Sequence, residues 1–373
     1  MDSIIIYYNT GAREVVMKFL SKYMFVALLL VPSVLLSQSE TLKIVGWDVY
    51  ADPENPDKTI GFKSFEKKHD VKIEFTPLSN LDDIIEAAES EVDYDLFIIS
   101  NEGISILHDM GLVKALNLEK LPQYHSLHHN LKYTKWGQFE SKVYAVPWAW
   151  GPTGLMFDTD KVAVTNSWKS LWDKKYKGKV AMWDDVSMIW TTALVLGYKN
   201  VYSLTKRQLQ EVKKKLFEFN SLHAYYYKGG GEEVELVQKG KILLYNSWYD
   251  PSARLKTMGK NFKMIIPKEG AVGMFDSYLL SANSTKEALS HQYINHQITP
   301  EIQQSMLRIT GLAPSNIETL ALLRPEEIHA LHLDDPEYFN QMILWDHMPR
   351  KNLYEKVLDE VRKDYREKLK LRK

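Results

Sequence analysis

The chain has 373 residues, of which 45% are hydrophobic and 25% are charged, so it is predicted to fold as two globular domains. This composition excludes a disordered acidic tail, a collagen-like fibre and a protein with many membrane spans. The absence of cysteine excludes disulfides, thiolate nucleophiles and iron–sulfur clusters, and a net charge of −1 argues against binding nucleic acid through phosphate neutralisation.

Residues 1–39 are predicted to be a leader that includes a secretory signal peptide. Residues 17–22 form a short basic region, residues 23–36 carry no charged side chain, and small or polar residues follow. The uncharged run is short for a bilayer-spanning helix, which needs about 20 residues, although a retained anchor remains an alternative. A lipoprotein signal needs a cysteine, so we expect a chain that is free of lipid and soluble in the periplasm.

Short apolar runs alternate with amphipathic segments in the next part of the chain. Strands are predicted at Leu42–Gly46, Val71–Phe75 and Tyr94–Ile99, with helices at Ile60–Lys68 and Leu81–Ser90 between them. Strands that alternate with helices in this way are typical of a parallel sheet with crossover helices.

Two extended stretches, residues 145–154 and 267–280, interrupt this alternation and enclose a second series of elements. That series comprises strands Gly154–Phe157, Val180–Trp183, Ile242–Tyr245 and Phe262–Ile266 and helices Ser187–Leu196, Lys206–Phe219 and Glu232–Gln238. The chain is therefore predicted to leave one α/β lobe, build a second and return, with two crossing strands as a hinge and a ligand-binding cleft between the lobes. We assign residues 40–150 and 274–319 to lobe 1, and residues 151–273 and 320–373 to lobe 2.

Mainly helices are predicted after Ser281, at Lys286–Asn295, at Pro300–Arg308 and at the C-terminus. From residue 350 onward, apolar residues recur every four positions, which predicts an amphipathic helix on the body of the protein. This segment carries a net charge of +5, so residues 38–349 carry −7. An acidic body would raise the local concentration of a cationic ligand.

Motifs for catalysis or cofactor binding are absent from the sequence. There is no Gly-x-x-x-x-Gly-Lys-Ser/Thr loop, no Gly-x-Gly-x-x-Gly and no Gly-x-Ser-x-Gly. His125, His128 and His129 lack a carboxylate at metalloprotease spacing, so a surface cluster is favoured over a metal site. Glu232 and Glu233 follow three glycines and would repel a phosphate, which indicates a loop. We expect no enzyme, cofactor or metal site.

Aromatic residues next to carboxylates at predicted strand ends or loops are the positive signal. The segments are Trp47-Asp48-Val49-Tyr50, Trp183-Asp184-Asp185, Trp248-Tyr249-Asp250, Phe275-Asp276 and Trp345-Asp346. An ammonium group over an aromatic ring gains about 0.5–2 kcal/mol, and a carboxylate adds a charge-assisted hydrogen bond. The pattern predicts a receptor for an elongated organic cation, with unrelated packing as an equal alternative.

Several segments, by their order and spacing, resemble the periplasmic spermidine/putrescine-binding proteins, which are the solute receptors of polyamine ABC importers. They lie at residues 47–50, 93–100, 146–154, 167–178 and 267–277, and the likeness covers nearly the whole mature chain. It implies the type II periplasmic-binding-protein fold, with each lobe a mainly parallel sheet flanked by helices. It also implies a polyamine held by aromatic walls and carboxylates in a cleft that closes about a hinge.

The resemblance implies particular ligand-binding positions, some of which are changed here. Tyr50 and Trp248 match aromatic walls, while Glu102 stands at a tyrosine position and Asp346 at a glutamine position. Met188, Met274 and Leu312 replace a glutamate, a tryptophan and an aromatic residue, so the family's usual length preference need not hold. Any one of Trp248, Tyr249 and Asp250 can stand at the family's ligand-contacting position on the second lobe. The predicted ligand-binding residues are Trp47, Asp48, Tyr50, Ser100, Glu102, Asp185, Trp248, Asp250, Asp276 and Asp346.

We therefore expect an exported, monomeric receptor that captures a putrescine- or spermidine-like polyamine and delivers it to a membrane permease and ATPase. It is expected to bind no nucleic acid and to catalyse no reaction. A first alternative is the same architecture binding an amino-acid derivative, a sugar or a metal ion. A second is an extracytoplasmic enzyme on this scaffold, although enzymes of this type can use a cysteine nucleophile, as the thiaminases do, and this chain has none.

Overall fold

The computed structural model describes residues 39–51, 59–229, 231–335 and 337–371. The predicted signal peptide lies outside the described residues. None of the helices within these ranges combines the length and the apolar character that a bilayer crossing requires.

The helices and strands predicted from the sequence are present, with ends shifted by up to three residues, and the structure adds several short strands and three helices that were not predicted. The strands are β1 (Glu40–Trp47), β2 (Val71–Leu78), β3 (Leu96–Ser100), β4 (Val113–Lys114), β5 (Gln138–Phe139), β6 (Lys142–Val143), β7 (Ala145–Pro152), β8 (Gly154–Asp158), β9 (Val180–Trp183), β10 (Tyr225–Tyr227), β11 (Leu244–Ser247), β12 (Phe262–Ile265), β13 (Ala271–Ser281), β14 (Ala313–Pro314) and β15 (Met342–Leu344). The α-helices are α1 (Phe62–His69), α2 (Leu81–Glu89), α3 (Asn101–Asp109), α4 (Ser187–Val195), α5 (Lys206–Ser221), α6 (Glu232–Gln238), α7 (Ser252–Thr257), α8 (Glu287–Gln297), α9 (Pro300–Thr310), α10 (Pro325–Ala330) and α11 (Lys351–Lys370).

The strands form two main sheets. The first has the order β14-β7-β13-β3-β1-β2, and β4 and β15 also pair with β13. The second has the order β10-β9-β11-β8-β12, while β5 and β6 form a separate pair. All residues of β13 are buried, so this strand is the centre of the first sheet.

Both sheets are mixed, which corrects the expectation of mainly parallel sheets. In the first sheet β1 is parallel to β3, but β13 is antiparallel to both β3 and β7. In the second sheet β9 is parallel to β10 and β11, but β8 is antiparallel to β11 and β12. The strands β8 and β13 each follow directly after a strand of the other sheet. Because no helical crossover connects them to a neighbour in their own sheet, they need not be parallel to their neighbours.

Two short crossing segments connect the sheets. Thr153 separates β7 from β8, and residues 266–270 separate β12 from β13. The Thr153 backbone N–H and side-chain hydroxyl both donate to the Val272 carbonyl, at 2.6 and 2.9 Å. The first crossing is thus hydrogen-bonded to the start of β13, the strand that the second crossing enters.

Each sheet has its own hydrophobic core. Trp148 and Tyr278 are buried in the core of the first sheet, whereas Trp168 and Trp190 are buried in that of the second. The C-terminal helix α11 packs against α5 through its apolar stripe, which confirms the predicted amphipathic helix. At its far end Leu369 is exposed, so the contact covers only the first part of the predicted stripe.

Gly46 allows β1 to lie close to β3 immediately before the candidate site. A Cβ at this position would lie 2.6 Å from the Ile98 Cβ and 3.0 Å from the Ile98 carbonyl oxygen. Neither atom can move without moving β3. Gly46→Ala should therefore lower the free energy of unfolding by about 1–3 kcal/mol in denaturant titrations.

Gly137→Ala is the matched control, because no neighbouring atom lies within 3.4 Å of a Cβ there. Equal stability of the two variants would contradict the proposed crowding at Gly46.

Candidate functional site

Asp276 is the central carboxylate of the candidate site. The β13 register places it opposite Ser100 in β3 and Ala149 in β7, and its side chain is buried. One carboxylate oxygen accepts a hydrogen bond from the Ser100 hydroxyl at 2.7 Å, and the other accepts one from the Tyr50 hydroxyl. The Trp47 indole N–H is directed at the same carboxylate without reaching hydrogen-bond geometry. No described side chain supplies a cation to it.

The electrostatics of Asp276 follow from this environment. Burial raises the pKa of Asp276 to about 6, and the hydrogen bonds from Tyr50 and Ser100 partly offset that effect. The group is still mainly ionised at neutral pH, so the protein holds a buried negative charge with only neutral donors around it. Such a charge favours a cationic ligand over a neutral one.

Packing fixes the Tyr50 hydroxyl in place. Asp48–Tyr50 form a 3-10 turn directly after β1, and the Tyr50 ring lies 4.3 Å from the ring of Trp148. Side chains three residues apart in such a turn share a face, so Trp47 and Tyr50 lie on the same side and Asp48 on another. The turn therefore directs Trp47 and Tyr50 towards Asp276, where the Tyr50 hydroxyl donates, while Asp48 accepts a hydrogen bond from Ser79 instead.

A second carboxylate, Asp185, lies just beyond the carboxyl end of a strand in the other sheet. It follows β9, and Trp248 follows the adjacent parallel strand β11, so the ends of these strands bring the two residues together. The Trp248 indole N–H donates to Asp185 at 2.8 Å, as does the Ser187 backbone N–H. Burial raises the pKa of Asp185 to about 6.

Trp345 connects the two halves of the site, although it is not among the predicted ligand-binding residues. Its ring is stacked on Trp248 at 5.8 Å with an angle of 26° between planes, and its edge faces Trp190 at 5.3 Å. It packs against the cores of both sheets. The Trp345-Asp346 pair was recognised in the sequence, but the prediction selected the carboxylate rather than the ring.

Glu102 lies in the first turn of α3, close to the segment that contains Trp345. It is buried, and burial raises its pKa to about 7, with the Lys351 charge acting in the opposite direction. The Trp345 indole N–H is directed at Glu102 but does not reach hydrogen-bond geometry. Nearby, the Asn101 side-chain amide donates to the Trp345 carbonyl.

The other predicted carboxylates have different surroundings. Asp48 is exposed and accepts a hydrogen bond from the Ser79 hydroxyl at 2.8 Å. Asp346 is paired with Lys135 at 2.5 Å. Asp250 is partly buried, accepts from the Ser252 backbone N–H at 2.8 Å and lines a cavity with Trp248 and Tyr249. The structure thus groups Trp47, Tyr50 and Ser100 with Asp276, and Trp248 with Asp185, while Asp48 and Asp346 point to other partners.

Binding of a metal ion needs a different arrangement of side chains from binding of an organic cation. Over the described ranges, no group of three or more His, Asp or Glu side chains could hold a metal ion.

Comparison with known proteins gives the family. The model for the bacterial extracellular solute-binding proteins matches residues 62–333. The chain belongs to this family, whose members are binding components of transport systems.

Individual relatives and solved structures agree with this assignment. The spermidine/putrescine-binding periplasmic protein of Salmonella typhimurium is 22% identical over 301 residues, covering 78% of this chain and 82% of the relative. A putrescine-binding periplasmic protein of Pseudomonas aeruginosa is 23% identical over 312 residues, covering 77% and 81%. The spermidine/putrescine ABC transporter substrate-binding protein of Streptococcus pneumoniae superposes with a TM-score of 0.72 at 18% identity, covering 88% of this chain and 100% of that one. The predicted two-lobed periplasmic-binding-protein fold is confirmed.

The ligand-free protein should become more stable when the buried charge is removed. Because the pKa of Asp276 is about 6 in the folded protein, against about 3.9 in an unfolded chain, its ionised form opposes folding above pH 6. Asp276→Asn should raise the free energy of unfolding at pH 7.5 by up to about 3 kcal/mol, and the gain should shrink toward zero near pH 4. Denaturant titrations of both proteins across this range measure the difference. A variant less stable than the wild type at pH 7.5 would contradict the account.

Proposed function

We propose that this chain is an exported receptor that captures a polyamine between its lobes and delivers it to a membrane ABC importer without catalysing a reaction. The observation that carries the proposal is the buried Asp276 carboxylate, which has hydroxyl donors but no cation. A primary ammonium group has three N–H donors and a full charge, so it supplies what this carboxylate lacks.

The second half of the site suits the other end of an elongated dication. Asp185 lies on the second sheet and Asp276 on the first, so one ligand that contacts both must span the two lobes. The stacked rings of Trp248 and Trp345 provide aromatic surface for the alkyl chain and for cation–π contacts. Selectivity would come from the distance between the carboxylates, because an ammonium group left unpaired in a cleft costs about 1–3 kcal/mol or more.

The proposed ligand contacts follow from this arrangement. Trp47, Tyr50, Ser100 and Asp276 form the first-lobe end, and Asp185 and Trp248 form the second-lobe end. Glu102 and Asp250 are proposed as further carboxylates beside the aromatic wall, to which we add Trp345. Asp48 and Asp346 remain predictions from the sequence. Relatives named for binding spermidine and putrescine favour a polyamine over an amino-acid derivative, a sugar or a metal ion.

The remaining expectations are part of the same proposal. A receptor that diffuses to its importer is expected to carry a signal peptide and to be soluble in the periplasm without a lipid anchor. It is also expected to be monomeric and to bind no nucleic acid. For the lobes we keep the boundaries 40–150 with 274–319 and 151–273 with 320–373. In the segment 320–373, which is assigned to the second lobe, β15 pairs with β13 of the first sheet and Tyr338 packs in the core of the first sheet.

Calorimetric titration with putrescine, cadaverine, spermidine and spermine tests the ligand class. We expect saturable binding of at least one of these amines to the wild type. Asp276→Asn should weaken it by tenfold or more, because a close ion pair is lost. The exposed Asp359→Asn is the control and should change affinity less than twofold. No heat with any of the four amines would contradict the proposed ligand.

The affinity should also depend on pH in a defined direction. A proton and the ligand ammonium compete for Asp276, whose pKa of about 6 without ligand must fall when a cation binds. Affinity should be constant above pH 7 and decrease below pH 6 by about tenfold per pH unit for each carboxylate that the ligand contacts. Titrations between pH 5 and 8 measure this slope, and Asp276→Asn should make it shallower. A flat profile down to pH 5 would exclude an ionised Asp276 from the binding site.

A further inference from the structure

Glu233 is a further buried carboxylate, and it lies outside the ligand contacts proposed above. It lies at the beginning of α6 and is fully buried. One of its oxygens accepts a hydrogen bond from the Tyr249 hydroxyl, whereas the other oxygen is buried and has no hydrogen-bond partner. A buried acceptor left unpaired typically costs about 1–3 kcal/mol, and more when it is charged. Such a group needs an explanation beyond folding.

Aromatic rings surround this carboxylate. Tyr227, Tyr245 and Tyr249 are close enough for the Glu233 charge to raise the pKa of each of them, with burial the main cause. The buried Tyr245 hydroxyl also has no hydrogen-bond partner. Trp183 adds a fourth ring, 5.2 Å from that of Tyr227 and 6.1 Å from that of Tyr249. A carboxylate within a group of aromatic rings is the arrangement that binds an alkylammonium group.

Arg254 does not neutralise Glu233. Its charge lowers the pKa of Glu233, but burial raises that pKa more strongly. The Glu233 backbone N–H is directed at its own carboxylate, yet one carboxylate oxygen has no partner at hydrogen-bond geometry, and no ion pair joins Arg254 to Glu233 among the described residues. The acceptor is therefore available to a donor from outside the protein.

The Glu233 group adjoins the proposed ligand site. Tyr249 directly follows Trp248, the aromatic wall that donates to Asp185. Tyr249 also lines the cavity that contains Trp248 and Asp250, and its hydroxyl covers one oxygen of Glu233. Glu233 is fully buried and does not itself line the cavity, so a ligand in the cavity reaches this carboxylate only when the Tyr249 side chain moves aside.

We propose that Glu233, with Tyr227, Tyr245 and Tyr249, forms a subsite for the terminal ammonium group of a polyamine with three or more nitrogens. The inference rests on the proposed function and specifies which polyamines the site prefers. A long polyamine anchored elsewhere in the cleft places its far ammonium on Glu233, displacing the Tyr249 hydroxyl. A short diamine uses the Asp276 and Asp185 ends and leaves this subsite unfilled.

Glu233→Gln tests the subsite by the ratio of two affinities. Calorimetric titration should show that the variant binds spermine at least tenfold more weakly than the wild type, while its affinity for putrescine changes less than threefold. Glu233→Asp keeps the charge on a shorter side chain and should recover part of the spermine affinity. Glu235→Gln, an exposed position on the same helix, is the control and should leave both affinities unchanged.

Each other outcome has a distinct meaning. If Arg254 pairs with Glu233 in solution, Glu233→Gln will lower the melting temperature without changing the ratio of affinities, and the inference is overturned. Wild-type protein that binds putrescine and neither spermidine nor spermine also overturns it. Wild-type protein that binds none of these amines overturns the proposed function itself.

Discussion

The buried charge of Asp276 is the constraint on which the rest of the site depends. The carboxylate occupies the middle of β13, the strand to which most of the first sheet is hydrogen-bonded. The hydroxyls of Tyr50 and Ser100 donate to it and no described cation pairs with it, so the folded protein keeps an ionised group at an energetic cost. The cation proposed to bind here would recover that cost, which would make the ligand part of the electrostatic balance of the fold.

The two principal carboxylates lie on different sheets. Asp276 belongs to the first sheet and Asp185 follows a strand of the second, and Thr153 in the first crossing is hydrogen-bonded to the start of β13. Outside the site, Lys351 at the start of α11 pairs with Asp82 on α2 at 2.5 Å. This exposed ion pair contributes little, at most about 1 kcal/mol. In the proposed complex, a ligand that contacts both Asp276 and Asp185 would join the two sheets more strongly than this ion pair does.

The sequence was sufficient to predict most elements, because apolar periodicity is a local signal, and it placed Asp276 and Asp185 among the candidate ligand-binding residues through the aromatic–carboxylate pattern and the family resemblance. It did not give the strand directions, since these depend on which strand arrives from the other sheet. It also included Asp48 among the candidates, because the side on which a turn residue projects is set by the 3-10 geometry after β1. Glu233 was interpreted only as a group that repels phosphate, because its tyrosine neighbours come from β10 and β11 and meet only in the fold.

The most direct test of the central claim is a crystal structure of the protein with spermidine bound. We expect one ammonium nitrogen within about 3 Å of the Asp276 carboxylate, with the Tyr50 and Ser100 hydroxyls still donating to it. We also expect the alkyl chain to lie against Trp248 and Trp345. A complex in which spermidine is bound elsewhere, with Asp276 in contact only with its two hydroxyl donors, would contradict it.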